Sequence, residues 1–63
     1  METSLRLLMD DGTLAITFHP KLTAEQYAEL LDAANIATTC DELCRAVVVL
    51  AKEWGVDANC VED

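Results

Sequence analysis

Residues 39–55 read TCDELCRAVVVLAKEWG, the longest stretch in which apolar residues recur at helical spacing. Thr39 followed by Glu42 forms a capping box, which satisfies two backbone N–H groups at a helix N-terminus. Gly55 can adopt the left-handed conformation that ends a helix, and Val56 can then fold back on the last turn. The stretch therefore predicts a long helix around which other elements pack. Its predicted apolar face consists of Cys40, Leu43, Cys44, Ala46, Val47, Val48, Leu50, Ala51 and Trp54.

A β-hairpin is predicted at the N-terminus, with strands over residues 4–9 and 14–19. Asp11-Gly12 between them favours a two-residue type I′ turn, in which the residue before Asp11 pairs with the residue after Gly12. In this register all the large apolar positions but one fall on a single face, because side chains alternate along a strand. The predicted face consists of Leu5, Leu7, Met9, Leu14, Ile16 and Phe18, with Thr17 exposed on the other side.

A shorter helix is predicted between the hairpin and the long helix. Thr23 and Gln26 form its capping box, and Leu22 can pack against Tyr27 as a hydrophobic staple. Asn35 tolerates the left-handed conformation and is the predicted stop. The stripe expected to be buried consists of Ala24, Tyr27, Leu30, Leu31 and Ala34.

These elements predict one α+β domain over residues 1–63, in which two helices cover one face of a hairpin (ββαα). An isolated hairpin is marginally stable in water, so the helices must bury it. Weak alternation over residues 56–63 leaves room for a short third strand at the C-terminus.

The charge balance is strongly acidic. Twelve acidic residues stand against four basic ones, for a formal net charge of −8. This charge argues against direct binding to nucleic acid or to an anionic membrane surface. It favours a basic partner protein, or it serves solubility alone. No stretch approaches the roughly 18 apolar residues of a membrane span, and residues 1–9 do not resemble a signal peptide, so a cytoplasmic protein is expected.

Little in the sequence indicates metal or catalytic chemistry. One histidine and three cysteines match a zinc ligand set in number, but their spacing lacks the usual C-x2-C pair. Cys40 and Cys44 read equally well as small buried apolar residues. Asp10-Asp11-Gly12 lacks the acidic spacing of a calcium loop and reads as a hairpin tip. We expect no enzyme activity, no catalytic residues, no cofactor and no bound metal; a zinc-stabilised domain using His19, Cys40, Cys44 and Cys60 is the third hypothesis.

The candidate partner-binding residues are acidic. Glu25, Glu29 and Asp32 lie at i, i+4 and i+7 on the first helix, with no lysine or arginine on that face. Carboxylates at this spacing approximate a line of backbone phosphates, and a basic channel could accept them. Asp10 and Asp11 at the hairpin tip form a second candidate patch. Each of these positions could also be simply solvated.

In size, acidity and compact α+β make-up, the whole chain resembles the small anti-CRISPR proteins that phages encode against host defences. The resemblance rests on no motif, so it assigns no site residue. It implies a stoichiometric inhibitor that occupies a basic nucleic-acid-binding surface of a CRISPR effector complex in the host cytoplasm.

The leading hypothesis is therefore a non-enzymatic acidic inhibitor, acting as a monomer or weak homodimer. The alternative is a structural or regulatory interaction module that dimerises through leftover apolar surface. Its candidates are Leu8, Val48, Val49 and the alanines of the first helix.

Overall fold

The computed structural model describes residues 1–62 and contains three antiparallel strands and two helices in the order ββααβ. The sheet order is β1-β2-β3, so the C-terminal strand pairs with β2 and makes it the central strand. The predicted α+β fold and its third strand are confirmed. The elements are β1 (Thr3–Met9), β2 (Gly12–His19), α1 (Ala24–Ile36), α2 (Cys40–Trp54) and β3 (Asp57–Glu62).

The hairpin register differs from the predicted one by two residues. Met9 pairs with Gly12, so the two-residue loop is Asp10-Asp11 and not Asp11-Gly12. Neither aspartate has a positive φ, so the loop is not the predicted type I′ turn. Gly12 follows the loop as the first residue of β2 and has a φ of 142°. A shift of two residues preserves the faces of both strands. Ile16 and the other two core residues of β2 are therefore buried as predicted.

The core lies between β2 and α2. Phe18 on β2 is fully buried, and its ring centroid lies 6.4 Å from that of Trp54 at the end of α2. Val48, expected on the apolar face of α2, is 45% exposed. Thr17, expected to be exposed, is half-buried on the outer face of the sheet, where its hydroxyl lies 3.4 Å from that of Ser4. The buried apolar residues are Met9, Leu14, Ile16, Phe18, Leu22, Leu30, Cys40, Leu43, Val47 and Ala51.

Both predicted ends of α2 are present, with one change. Thr39 Oγ1 accepts the Glu42 N–H at 3.2 Å, but the Glu42 carboxylate accepts a hydrogen bond from the Thr38 hydroxyl at 3.1 Å. The expected return bond to Thr39 is thereby replaced by one to its neighbour. At the other end Gly55 is left-handed (φ 70°), and the Val56 N–H bonds to the carbonyl of residue 51 at 3.0 Å.

Two expectations for α1 are wrong, although its capping box between Thr23 and Gln26 is complete. The helix continues through Asn35 and ends at the extended residue Ala37, whose N–H bonds to the carbonyl of residue 33. Of the predicted buried stripe, only Leu30 is buried. The physical reason is placement: α1 packs mainly on α2, whereas α2 packs on β2 and β3.

Candidate protein-binding surface

The three acidic residues predicted on the first helix lie together on α1 and are all exposed. At about 100° per residue, Glu25, Glu29 and Asp32 fall within an arc of about 60°. None of them forms an ion pair or hydrogen bond with another side chain in residues 1–62. The helix itself contains no lysine or arginine. We call these three residues the acidic stripe.

The hairpin tip is anchored to the start of α2. Asp11 Oδ1 accepts the Cys40 N–H at 2.9 Å, which satisfies one of the open N–H groups at the helix N-terminus. This hydrogen bond from Cys40 holds the pKa of Asp11 below its usual value. The Asp10 N–H donates to the Thr38 carbonyl at 3.0 Å, while the Asp10 side chain is exposed. Asp11 thus has an intramolecular role that sequence reasoning missed, since its partner is 29 residues away.

The structure brings further carboxylates to this end of the molecule. Asp41 and Glu42 lie in the first turn of α2, beside the anchored tip. Glu62 at the end of β3 is close enough to help raise the pKa of the Cys40 thiol, after the larger effect of burial and the contribution of Asp11. Only the topology of β3 could have indicated this grouping. The acidic corner is defined as Asp10, Asp11, Asp41, Glu42 and Glu62.

An exposed apolar stripe accompanies the acidic stripe on α1. Tyr27 and Leu31, both expected to be buried, are 39% and 38% exposed, and Ala24 and Ala28 beside them are exposed as well. The four residues lie at i, i+3, i+4 and i+7, which is the spacing of one helix face. We call these four residues the α1 apolar stripe. The expectation that Ala24, Tyr27 and Leu31 are buried is wrong, whereas Ala28 belongs to the alanines expected as leftover apolar surface.

The outer face of the sheet offers little for chemistry. It contains a shallow depression of about 460 Å³ whose one ionisable side chain is Arg6. The remaining lining residues are Ser4, Leu5, Ala15, Ile16 and Thr17. Such a set supplies no nucleophile–base pair and no paired carboxylates.

The residues of the zinc hypothesis are not gathered into a site. His19 is exposed at the end of β2, and the three cysteines are free thiols. Within residues 1–62 no group of three histidine, cysteine, aspartate or glutamate side chains is arranged to hold a metal ion. The structure therefore gives the zinc-stabilised alternative no support.

No helix within residues 1–62 has the length and apolar character to cross a membrane. No family model, curated protein or solved structure matches the chain.

Proposed function

We propose that this protein is a non-enzymatic binding protein that uses α1 to occupy a basic nucleic-acid-binding surface of a partner protein. The observation that carries the proposal is the acidic stripe: Glu25, Glu29 and Asp32 are exposed and unpaired on a helix without a basic residue. A CRISPR effector complex is one such partner, in keeping with the resemblance in size and charge. The proposal places the protein in the cytoplasm.

The charge arrangement on α1 supports a binding role because it costs stability. Like charges at i, i+4 destabilise a helix by a few tenths of a kcal/mol, and Glu25 and Glu29 stand in that relation. On α2, by contrast, Asp41 and Arg45 pair at 3.1 Å. Successive carboxylates of the acidic stripe advance by about 6 Å and then by about 4.5 Å along the helix axis, which is of the same order as the spacing of phosphates on a nucleic-acid strand.

The α1 apolar stripe supplies apolar contact area, which the acidic stripe lacks. Charged residues at the rim of an interface mainly raise the association rate and set specificity. Aromatic and aliphatic side chains that become buried in the interface carry much of the binding energy. Tyr27 and Leu31 are each more than a third exposed. At about 100° per residue they lie roughly 130° to 170° around α1 from the centre of the acidic stripe. A partner groove that encloses α1, with lysines or arginines on one wall and apolar residues on the other, would match both stripes.

The test is a competition experiment. Immobilised protein captures partners from lysate of the candidate host at about 0.05 M salt, and a captured protein is then mixed with fluorescently labelled nucleic acid that it binds. Adding the acidic protein should displace the label stoichiometrically. The displacement should weaken toward about 0.5 M salt, because the Debye length falls from roughly 14 Å to roughly 4 Å. A captured protein that keeps its nucleic acid at saturating inhibitor contradicts the proposal.

Dimerisation remains a second candidate function, favoured by the open edge of the sheet. β1 is an edge strand whose seven residues carry one charge, Arg6, whereas the opposite edge strand β3 carries two acidic residues. Leu8 on β1 is 85% exposed. Edge strands with few charges invite pairing with another strand. Sedimentation equilibrium at tens of micromolar protein tests this second function. A dimer that Leu8→Lys dissociates supports dimerisation, and a monomer contradicts it.

A further inference from the structure

Two of the three cysteines face each other between α2 and β3. Cys60 lies on β3 opposite Ile16 of the central strand, and paired residues of neighbouring strands point to the same face. Since Ile16 is buried in the core at 1% exposure, Cys60 also points toward the helices. The register of β3 thus fixes the direction of its thiol.

Cys44 approaches from the helix side. It lies one turn after Cys40 and three residues before Val47, both of which are buried, so it lies on the face of α2 that meets the sheet. α2 packs on β3, and Cys44 and Cys60 both contact the core while remaining partly exposed. Burial, followed by a hydrogen bond with the Cys44 thiol, raises the pKa of Cys60 to about 12.

We propose that Cys44 and Cys60 form a dithiol modification site, which a small disulfide such as oxidised glutathione converts to an intramolecular disulfide between α2 and β3. The Cys44 thiolate attacks one sulfur of the reagent, forming a mixed disulfide and releasing one reduced thiol. The Cys60 thiolate then attacks the Cys44 sulfur and releases the second. The protein loses two protons and two electrons, and the reagent gains both. This inference is independent of the proposed function.

The third cysteine, Cys40, should not compete with Cys44 and Cys60 for the reagent. Cys40 is 2% exposed, so a reagent reaches its thiol poorly. The proposed bond closes residues 44–60 into a loop, which contains the left-handed turn at Gly55. Closing a loop of this size restricts the unfolded chain and raises Tm, by at least about 5 °C for a domain this small.

The experiment incubates the folded protein with oxidised glutathione and then alkylates the free thiols after unfolding. The titratable thiols should fall from three to one, peptide mapping should link residue 44 to residue 60, and Tm should rise. Cys40→Ser should give the same link, whereas Cys60→Ser should stop at the mixed disulfide on Cys44.

The mapping on the unaltered protein decides the inference even if a variant fails to fold. A link that includes Cys40, a covalent dimer, a persistent mixed disulfide in the unaltered protein, or three free thiols after prolonged incubation would each overturn it.

Discussion

The two helices are similar in length but differ in how the protein uses them. α2 has 15 residues and buries four of them, whereas α1 has 13 and buries one, Leu30. α2 also places acidic residues in its first turn and Lys52 in its last, as the helix dipole favours. α1 has no basic residue in its last turn and leaves the acidic stripe unpaired.

This difference teaches that a complete capping box and a helical apolar period do not decide how deeply a helix is buried. Both helices carry a threonine cap, and the box on α1 is the complete one. α2 is sandwiched against β2 and β3, while α1 rests mainly on α2. α2 therefore contributes most of the helical part of the core, whereas α1 keeps most of its side chains exposed.

The largest expected effect is on stability, and it tests how much each helix contributes to the buried core. Leu43→Ala on α2 removes a fully buried side chain and should cost about 2–5 kcal/mol of unfolding free energy. Leu31→Ala on α1 is the matched change, and it should cost about 1 kcal/mol or less because the side chain is already 38% exposed. Urea unfolding of both variants measures the difference. Equal costs would mean that α1 contributes to the core as much as α2 does.

A smaller effect is expected at the hairpin tip. Asp11→Ala removes the acceptor of the Cys40 N–H and should lower Tm, whereas the control Asp10→Ala should not, since only the Asp10 backbone is engaged. The folded-state pKa of Asp11 is lowered, so its contribution is fully present above about pH 4 and is lost as pH falls through that lowered value. Thermal melts between about pH 5 and pH 2 should therefore show less acid sensitivity in Asp11→Ala. Identical pH profiles for the variant and the unaltered protein would contradict this role.

The smallest stability effect should come from the acidic stripe. Glu29→Lys relieves repulsion from Glu25 one turn away and should leave the unfolding free energy unchanged or raise it by a few tenths of a kcal/mol. Glu53→Lys makes the same charge change at another exposed helical position, in the last turn of α2, where the helix dipole favours a cation and a small stabilisation is also expected. A loss of more than about 1 kcal/mol in Glu29→Lys would show that the stripe supports the fold.

The sequence indicated local features well and long-range ones poorly. The apolar faces of the hairpin, the Thr23 cap and the Gly55 stop depend on neighbouring residues and were predictable. The two-residue error in register arises at Asp11, whose carboxylate is held by a helix start far along the chain. The third strand could be anticipated only weakly, because its stability comes from pairing with β2.

The candidate site follows the same rule: its local features could be predicted from the sequence, and its long-range features could not. The acidic stripe follows from helical spacing within α1 and lies where expected. Ala24, Tyr27 and Leu31 of the α1 apolar stripe are wrongly predicted to be buried, because a helical period shows that residues share a face but not whether another element covers that face. The acidic corner depends on where β3 ends, which no local pattern records.

The central claim is that α1 is the binding helix, and one measurement tests it most directly. The affinity of the captured partner is compared for the unaltered protein, Glu29→Lys and the control Glu53→Lys, at about 0.05 M and about 0.5 M salt. The account predicts that Glu29→Lys weakens binding at least about tenfold at low salt, whereas Glu53→Lys binds with nearly the affinity of the unaltered protein. At high salt the difference in affinity between Glu29→Lys and the unaltered protein should become smaller. Equal affinities for Glu29→Lys and Glu53→Lys at low salt would contradict it.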